Sequence, residues 1–159
     1  MNIEEIQKKI NEFWYEARIL DLSCNHFADE MTMLYAKGKV GEGNIQYRFM
    51  GCYKIEMNFC ITHPKEKPFE DYNYDELEKW SSYYWFQSVE VKEITAYLPR
   101  EQVFGNKLWG NRFYEFSLDI FPSTVKIWCK RFQLNVISDN GQVKTELDSR
   151  LGSETICES

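Results

Sequence analysis

Positive charge is the scarce commodity in this sequence. Nineteen Lys and Arg face 25 Asp and Glu, a formal charge of −6 with both histidines neutral. A nucleic-acid surface needs a basic stripe to displace counterions, so no nucleic-acid partner is expected; an acidic chain attracts basic partners instead. Long apolar runs are missing too. None approaches the ~18 residues that span a bilayer, so no membrane association is expected. Met1-Asn-Ile-Glu-Glu offers neither a basic n-region nor an apolar h-region, so no signal peptide and a cytoplasmic location are expected. The sequence holds no G-x-S-x-G, P-loop, G-x-G-x-x-G or H-E-x-x-H. Gly38–Gly43 reads G-x-x-G-x-G, but it joins two alternating segments and opens no helix, so it is a hairpin connection. No catalytic residue, no cofactor and no enzymatic activity are expected.

Cysteine is limited to an odd set of five (Cys24, Cys52, Cys60, Cys129, Cys157) without C-x-x-C spacing. Reduced thiols acting as apolar fillers are the expectation. Cys24 and His26 stand two apart, a spacing that puts both on one strand face, and Cys52, Cys60 or His63 could complete a zinc site. A cysteine nucleophile with His63 as base is the other chemistry these residue types allow. No spacing requires either, so no metal is expected.

Aromatic residues, by contrast, are plentiful: 11 Phe, 10 Tyr and 5 Trp in 159 residues. With only 4 Pro and 8 Gly to interrupt it, such a chain favours pleated, half-buried surfaces. Ile3, Ile6, Ile10, Phe13 and Trp14 recur at helical spacing, with acids first and lysines following, which predicts an N-terminal amphipathic helix. From Arg18 the period becomes two. Leu20, Leu22, Cys24 and His26 share one phase; Met31, Met33 and Tyr35 repeat it. Ile45, Tyr47 and Phe49 alternate up to Gly51, and Tyr53, Ile55, Met57 and Phe59 continue beyond it in the same phase. That continuity favours one long strand bent at Gly51, with two short strands joined at Gly51-Cys52 as the alternative. Val89 and Val91 fall in one phase and Ile94, Ala96 and Leu98 in the other, which predicts a bulge near Lys92-Glu93. Tyr114 to Ile120 alternate, Pro122-Ser123 turns the chain, and a last long strand runs from Val125 to Val136 with a phase shift at Lys130-Arg131. The fold expected is α+β: a single domain over 1–141 in which the helix packs on a strongly curved, mainly antiparallel sheet, half-barrel or sandwich-like, followed by a polar tail over 142–159 that frays.

From Thr62 to Lys79 the alternation stops, and six acids stand among three lysines and two prolines. Asn73 followed by Glu76 predicts a capped helix over Tyr74–Ser81. Trp80, Tyr83, Tyr84, Trp85 and Phe86 come directly after, more aromatics than one face of a simple strand can hold. Aromatic anchors with an acidic rim are the composition of a protein-binding surface, here for a basic protein partner. Glu70, Asp71, Asp75, Trp80, Tyr83, Trp85 and Trp109 are the candidate partner-binding residues. The alternative is a small-ligand-binding or hydrolytic domain that uses the concave face of the sheet.

Two short stretches carry a family resemblance. Trp14-Tyr-Glu-Ala-Arg-Ile-Leu-Asp-Leu-Ser is similar to a W/H-D-A-x-I-x-x-I entry into a first strand, with Glu16 in the place of Asp. Tyr47-Arg-Phe-Met-Gly-Cys-Tyr-Lys-Ile resembles an F-x-G-C/V-x-x-I bend. Both are features of small bacterial immunity proteins of polymorphic toxin systems, including the YxiG-like group, and the match covers residues 14–60. The resemblance implies an antidote that binds and blocks a toxin domain; a host-defence effector would be an equivalent basic target.

Overall fold

The computed structural model describes residues 1–13, 17–25, 29–36, 43–58, 71, 73, 85–99, 108–121, 123–152 and 155–158. Helix α1 (Ile3–Glu12) opens on a reciprocal cap: the Asn2 side chain accepts the Glu5 N–H, and the Glu5 carboxylate accepts the Asn2 N–H, both at 2.9 Å. Ile6 and Ile10 form its buried stripe. Among the described residues ten strands follow: β1 (Ala17–Asn25), β2 (Glu30–Ala36), β3 (Asn44–Met50), β4 (Lys54–Asn58), β5 (Trp85–Pro99), β6 (Leu108–Phe121), β7 (Ser123–Cys129), β8 (Arg131–Ile137), β9 (Val143–Arg150) and β10 (Thr155–Glu158). Their order across the sheet is β4-β7-β6-β5-β1-β2-β3-β8-β9, with β10 beside the start of β6 and every pairing antiparallel.

The sheet folds over on itself. Ala17 and Arg18 of β1 pair with β5, and from Ile19 onward β1 pairs with β2, with a register shift between Ile19 and Asp21 where it changes partner. This creates two halves, β4-β7-β6-β5 and β2-β3-β8-β9, whose inner faces meet. Tyr35, Phe49 and Phe132 of one half touch Phe86 and Phe116 of the other, with ring centroids 4.5 Å apart for Tyr35–Phe86, 4.9 Å for Phe49–Phe116 and 4.7 Å for Phe116–Phe132. All five rings are buried, so the expectation of an α+β, sandwich-like curved sheet holds. Beyond Phe86, β5 has β6 on one side only, and α1 lies along the other. There Gln7 acts as a surrogate strand: its amide donates to the Val89 carbonyl and accepts the Val91 N–H, both at 2.9 Å. An edge that would invite another strand is thus covered by a helix.

Two of the chain's other crossings between halves are corners that are bonded to each other. Gly51 (φ +62) and Cys52 lead from β3 in one half to β4 in the other. Lys130 leads from β7 back to β8. The Lys130 N–H is shared between the carbonyls of Met50 and Gly51 at 3.2 Å each, and the Tyr53 N–H donates to the Trp128 carbonyl at 2.8 Å. The single long strand expected through Gly51 is therefore two strands, the alternative that the glycine also allowed. Beyond the bend the phase holds only in part: Ile55 packs against the core, whereas Tyr53 and Met57 are exposed.

Other expectations need correction. The phase change at Ile94 is not a bulge: β5 and β6 stay in register from Ser88 to Pro99, and the shift lies between Phe86 and Ser88. Ile94 faces outward because it stands opposite Phe113, an apolar residue of the outer face. In β1 the bulge leaves Leu20 39% exposed while Ile19 is buried. Residues 142–159, expected to fray, contain β9 and β10; β9 holds its place through β8 and one buried residue, Leu147, too little apolar pattern to read from sequence. The helix expected over Tyr74–Ser81 and most of the Gly38–Gly43 connection lie outside the described residues.

The outer face of β2-β3-β8-β9 is occupied by its own side chains. Glu30 accepts two bonds from Arg48, at 2.9 and 2.6 Å; Gln133 accepts from Arg48 at 3.4 Å and donates to Asp148 at 3.0 Å; Arg131 grips Asp148 through two bonds, at 2.9 and 2.7 Å. Beside this ladder, Asn135 donates to Gln46 at 3.1 Å and accepts from Thr145 at 2.8 Å. Cross-strand pairs of this kind fix register.

Two predictions follow from the fold. A Cβ on Gly51 would sit 3.1 Å from the Lys130 Cβ, in a backbone region that L side chains rarely adopt. Gly51→Val is expected to lower stability by about 1–3 kcal/mol; an unchanged urea midpoint and slope would contradict it. The second concerns Asp148. Hydrogen bonds from Arg131 and Gln133 lower its pKa to about 2, against ~3.9 in an unfolded chain. A depressed folded pKa adds stability that is present above the unfolded value and lost as pH falls through the folded one. With 37% of the Asp148 side chain exposed, solvent screening limits the effect to ~1 kcal/mol or less. Between about pH 4.5 and 2 the wild type should therefore lose more stability than Asp148→Asn, measured by urea midpoints across that range. Parallel curves would show that the pair contributes nothing.

Candidate functional site

The outer face of β4-β7-β6-β5 is built differently. Its register aligns outward residues in rows that run across all four strands: Lys54–Trp128–Glu115–Lys92, then Glu56–Lys126–Ser117–Glu90, then Asn58–Thr124–Asp119–Ser88. Four strands at ~4.8 Å spacing make each row about 14 Å wide. The second and third rows border a trough of about 400 Å³, open to solvent. Three carboxylates (Glu56, Glu90, Asp119) and one ammonium (Lys126) line it. Glu56 and Glu90 lean to lysines two residues away on their own strands, Lys54 at 2.9 Å and Lys92 at 3.5 Å. The hydrogen bond and charge of Lys54 lower the Glu56 pKa. Asp119 has no such cation among the described residues, and neither do the side chains of Asn58, Ser88 or Thr124 have a hydrogen-bond partner among them. Among the described residues, the third row is a line of unspent hydrogen-bonding groups.

At the other end of the same face three rings stack. Tyr53 lies 5.3 Å from Phe113 and 6.2 Å from Trp128, and Phe113 lies 6.2 Å from Trp128, all within 27° of parallel. Trp128 donates its indole N–H to Glu115 at 2.9 Å, which fixes the ring's orientation. Lys54 Nζ sits 4.5 Å from the Trp128 ring centre and Lys130 Nζ 4.5 Å from that of Phe113. Lys130 also donates to the Arg112 carbonyl. Burial, and then the nearby Arg112, lower its pKa. Phe113 is buried although it points outward, while Tyr53 is 53% exposed. The stack thus has a covered base and an open edge.

The other chemistry considered from sequence finds little support. The inner, concave face is filled by the aromatic core rather than by converging polar groups. Cys52 is half-buried, and burial pushes its thiol up to about 12; Cys129 is buried and its thiol is raised well above the ordinary value for the same reason. Protonated thiols are poor nucleophiles and poor metal ligands. Among the described residues no three of His, Cys, Asp and Glu converge on a metal-sized space. His26, Cys60 and His63 lie outside them. A second opening of about 460 Å³ lies between the start of α1, the first half of β6 and the end of β9, but its groups pair with one another: Glu93 with Arg112, and the Tyr114 hydroxyl with Ser149 at 2.5 Å.

Of the candidate partner-binding residues, Asp71 is exposed; Glu70, Asp75, Trp80 and Tyr83 lie outside the described residues. Trp85 opens β5 opposite Phe121, whereas Trp109 lies on β6 opposite Leu98. Twelve residues of β6 separate those two positions, which at ~3.3 Å per residue is about 40 Å, so the backbone does not bring the two tryptophans together. The stretch between Asn58 and Trp85 leaves and rejoins the sheet at the trough's end, since Asn58 pairs with Thr124 and Trp85 with Phe121. Sequence reasoning missed Tyr53, Phe113 and Trp128. One signal was present: Trp128 stands between inward Ile127 and Cys129, so the period of two already placed it outward.

No curated protein matches the chain. The family described as Immunity protein PIM7 matches residues 2–136, from the cap of α1 nearly to the end of β8. The immunity-protein resemblance drawn from residues 14–60 is thereby extended over most of the chain, and the chain belongs to the PIM7 family of immunity proteins.

Proposed function

We propose that this protein is a non-enzymatic, cytoplasmic antidote that binds a basic toxin domain, such as a nuclease, and blocks it stoichiometrically. The observation that carries this reading is the family match over residues 2–136. The formal charge of −6 favours a basic partner. The protonated thiols of Cys52 and Cys129, and the apolar filling of the inner face, favour inhibition by contact over chemistry.

The test uses a basic toxin domain sought among the genes that neighbour this chain's own. Co-expression should restore growth that the domain alone abolishes. In vitro, toxin activity should fall linearly with added chain and vanish at one equivalent. Growth unaffected by the chain would contradict the toxin-binding reading. Inactivation of many toxin molecules by one chain would contradict the non-enzymatic one.

A further inference from the structure

We infer that the outer face of β4-β7-β6-β5 is the docking face, where the trough receives a basic segment of the toxin and the Tyr53–Trp128–Phe113 stack supplies the apolar anchor. This deepens the toxin-binding reading and rests on it.

The two outer faces of the folded sheet are unequal, and that inequality carries the assignment. On β2-β3-β8-β9 the charged groups satisfy one another from Glu30 through Arg48 and Gln133 to Asp148 and Arg131. A partner landing there would have to break those bonds before it made its own. On β4-β7-β6-β5 the surface is hollow instead of filled, and Asn58, Thr124, Asp119 and Ser88 present free donors and acceptors in one cross-strand row, counted among the described residues.

Charge selects the occupant. The trough is lined by three carboxylates and one ammonium; Lys54 and Lys92 pair with Glu56 and Glu90 from its margin, which leaves Asp119 as the carboxylate without a cation among the described residues. A guanidinium or ammonium entering it would meet Asp119 at the centre of the third row and Glu56 and Glu90 at the flanks. The ring stack adds an independent feature. It stands on the same face, with Trp128 in the row next to the trough, the edge of Tyr53 open to solvent and Phe113 packed beneath. From Lys130 to Thr124 the face runs six residues, ~20 Å, by ~14 Å across four strands. An apolar anchor beside hydrogen-bonding and charged groups at this scale has the make-up of the centre of a protein interface. Trp128 is held by Glu115, and Tyr53 by its N–H bond to the Trp128 carbonyl, so the anchor is ordered before binding.

The experiment measures association and dissociation rates with the neighbouring toxin domain at about 50 and 200 mM salt. The first variant, E56Q/E90Q/D119N, neutralises the trough; a control, E4Q/D21N/D139N, removes the same charge from exposed positions elsewhere. Steering charges act on encounter, so the trough variant should associate at least ~10-fold more slowly at low salt and lose much of its salt dependence, while the control changes ~3-fold or less. Tyr53→Ala should dissociate at least ~10-fold faster, as loss of an anchor does. Thermal melts of every variant establish that it is folded; where Tyr53→Ala melts early, Tyr53→Ser and the charge variant carry the comparison. If the wild type binds while both the trough and Tyr53 variants stay within ~2-fold of it, the face is wrong and the antidote reading stands. If control and trough variants slow equally, net charge and not the trough guides the toxin, which also overturns the assignment. A wild type that fails to bind overturns the antidote reading together with this face.

Discussion

The backbone of Lys130 ties the molecule together. Its N–H is shared by Met50 and Gly51, its carbonyl accepts the Leu151 N–H at 2.9 Å, and the neighbouring Trp128 carbonyl accepts Tyr53. Four segments therefore meet at one point: the ends of β3 and β7 and the starts of β4 and β8, with the end of β9 closing over them. Strands that switch halves lose their ladder partners for a residue or two, and buried backbone groups left unpaired there would each cost about 1–3 kcal/mol. Bonding one corner to the other satisfies both. It also requires a residue at position 51 that accepts positive φ and leaves room for the Lys130 stem, which only glycine does without strain.

What the corner positions follows from this. Tyr53 is the second residue beyond Gly51, Trp128 the second before Lys130, and Phe113 lies next to the carbonyl of Arg112 to which the Lys130 ammonium donates. The ring stack is thus an outgrowth of the crossing itself, with its geometry set by hydrogen bonds that the fold needs in any case. The trough lies further along the same strands, where β4, β7, β6 and β5 run in strict register. The opposite half spends its outward side chains on cross-strand pairs. One sheet, folded once, yields a closed polar face and an open one.

Much of the fold was legible because the core is simple: wherever inward residues alternate, as in Tyr114–Ile120 or Val125–Cys129, the period of two survived intact. Helix α1 was legible from its apolar spacing and its charge order, acids first and lysines following. What escaped was information carried by pairs distant in sequence. Nothing local says that Met50 and Lys130 meet, so the bend at Gly51 read as curvature in one strand when it is a passage between two halves. Ile94 changes face because Phe113, nineteen positions on, makes the outer surface apolar there, and β9 is a strand because β8 accepts it. Aromatics that crowd in sequence, as at Trp80–Phe86, are easily noticed; the stack comes from three aromatics on three segments, Tyr53, Phe113 and Trp128, that only the corner brings together.

Native-state hydrogen exchange of the Lys130 and Tyr53 amides, followed over a series of sub-denaturing urea concentrations, tests most directly whether the paired corners hold the halves together. If they do, both amides exchange only when the whole molecule unfolds, with the free energy and urea slope of global unfolding and in step with core amides such as Phe116. Exchange of either amide through an opening of far lower free energy, nearly independent of urea, would show that the corner opens while both halves stay folded, and would contradict the account.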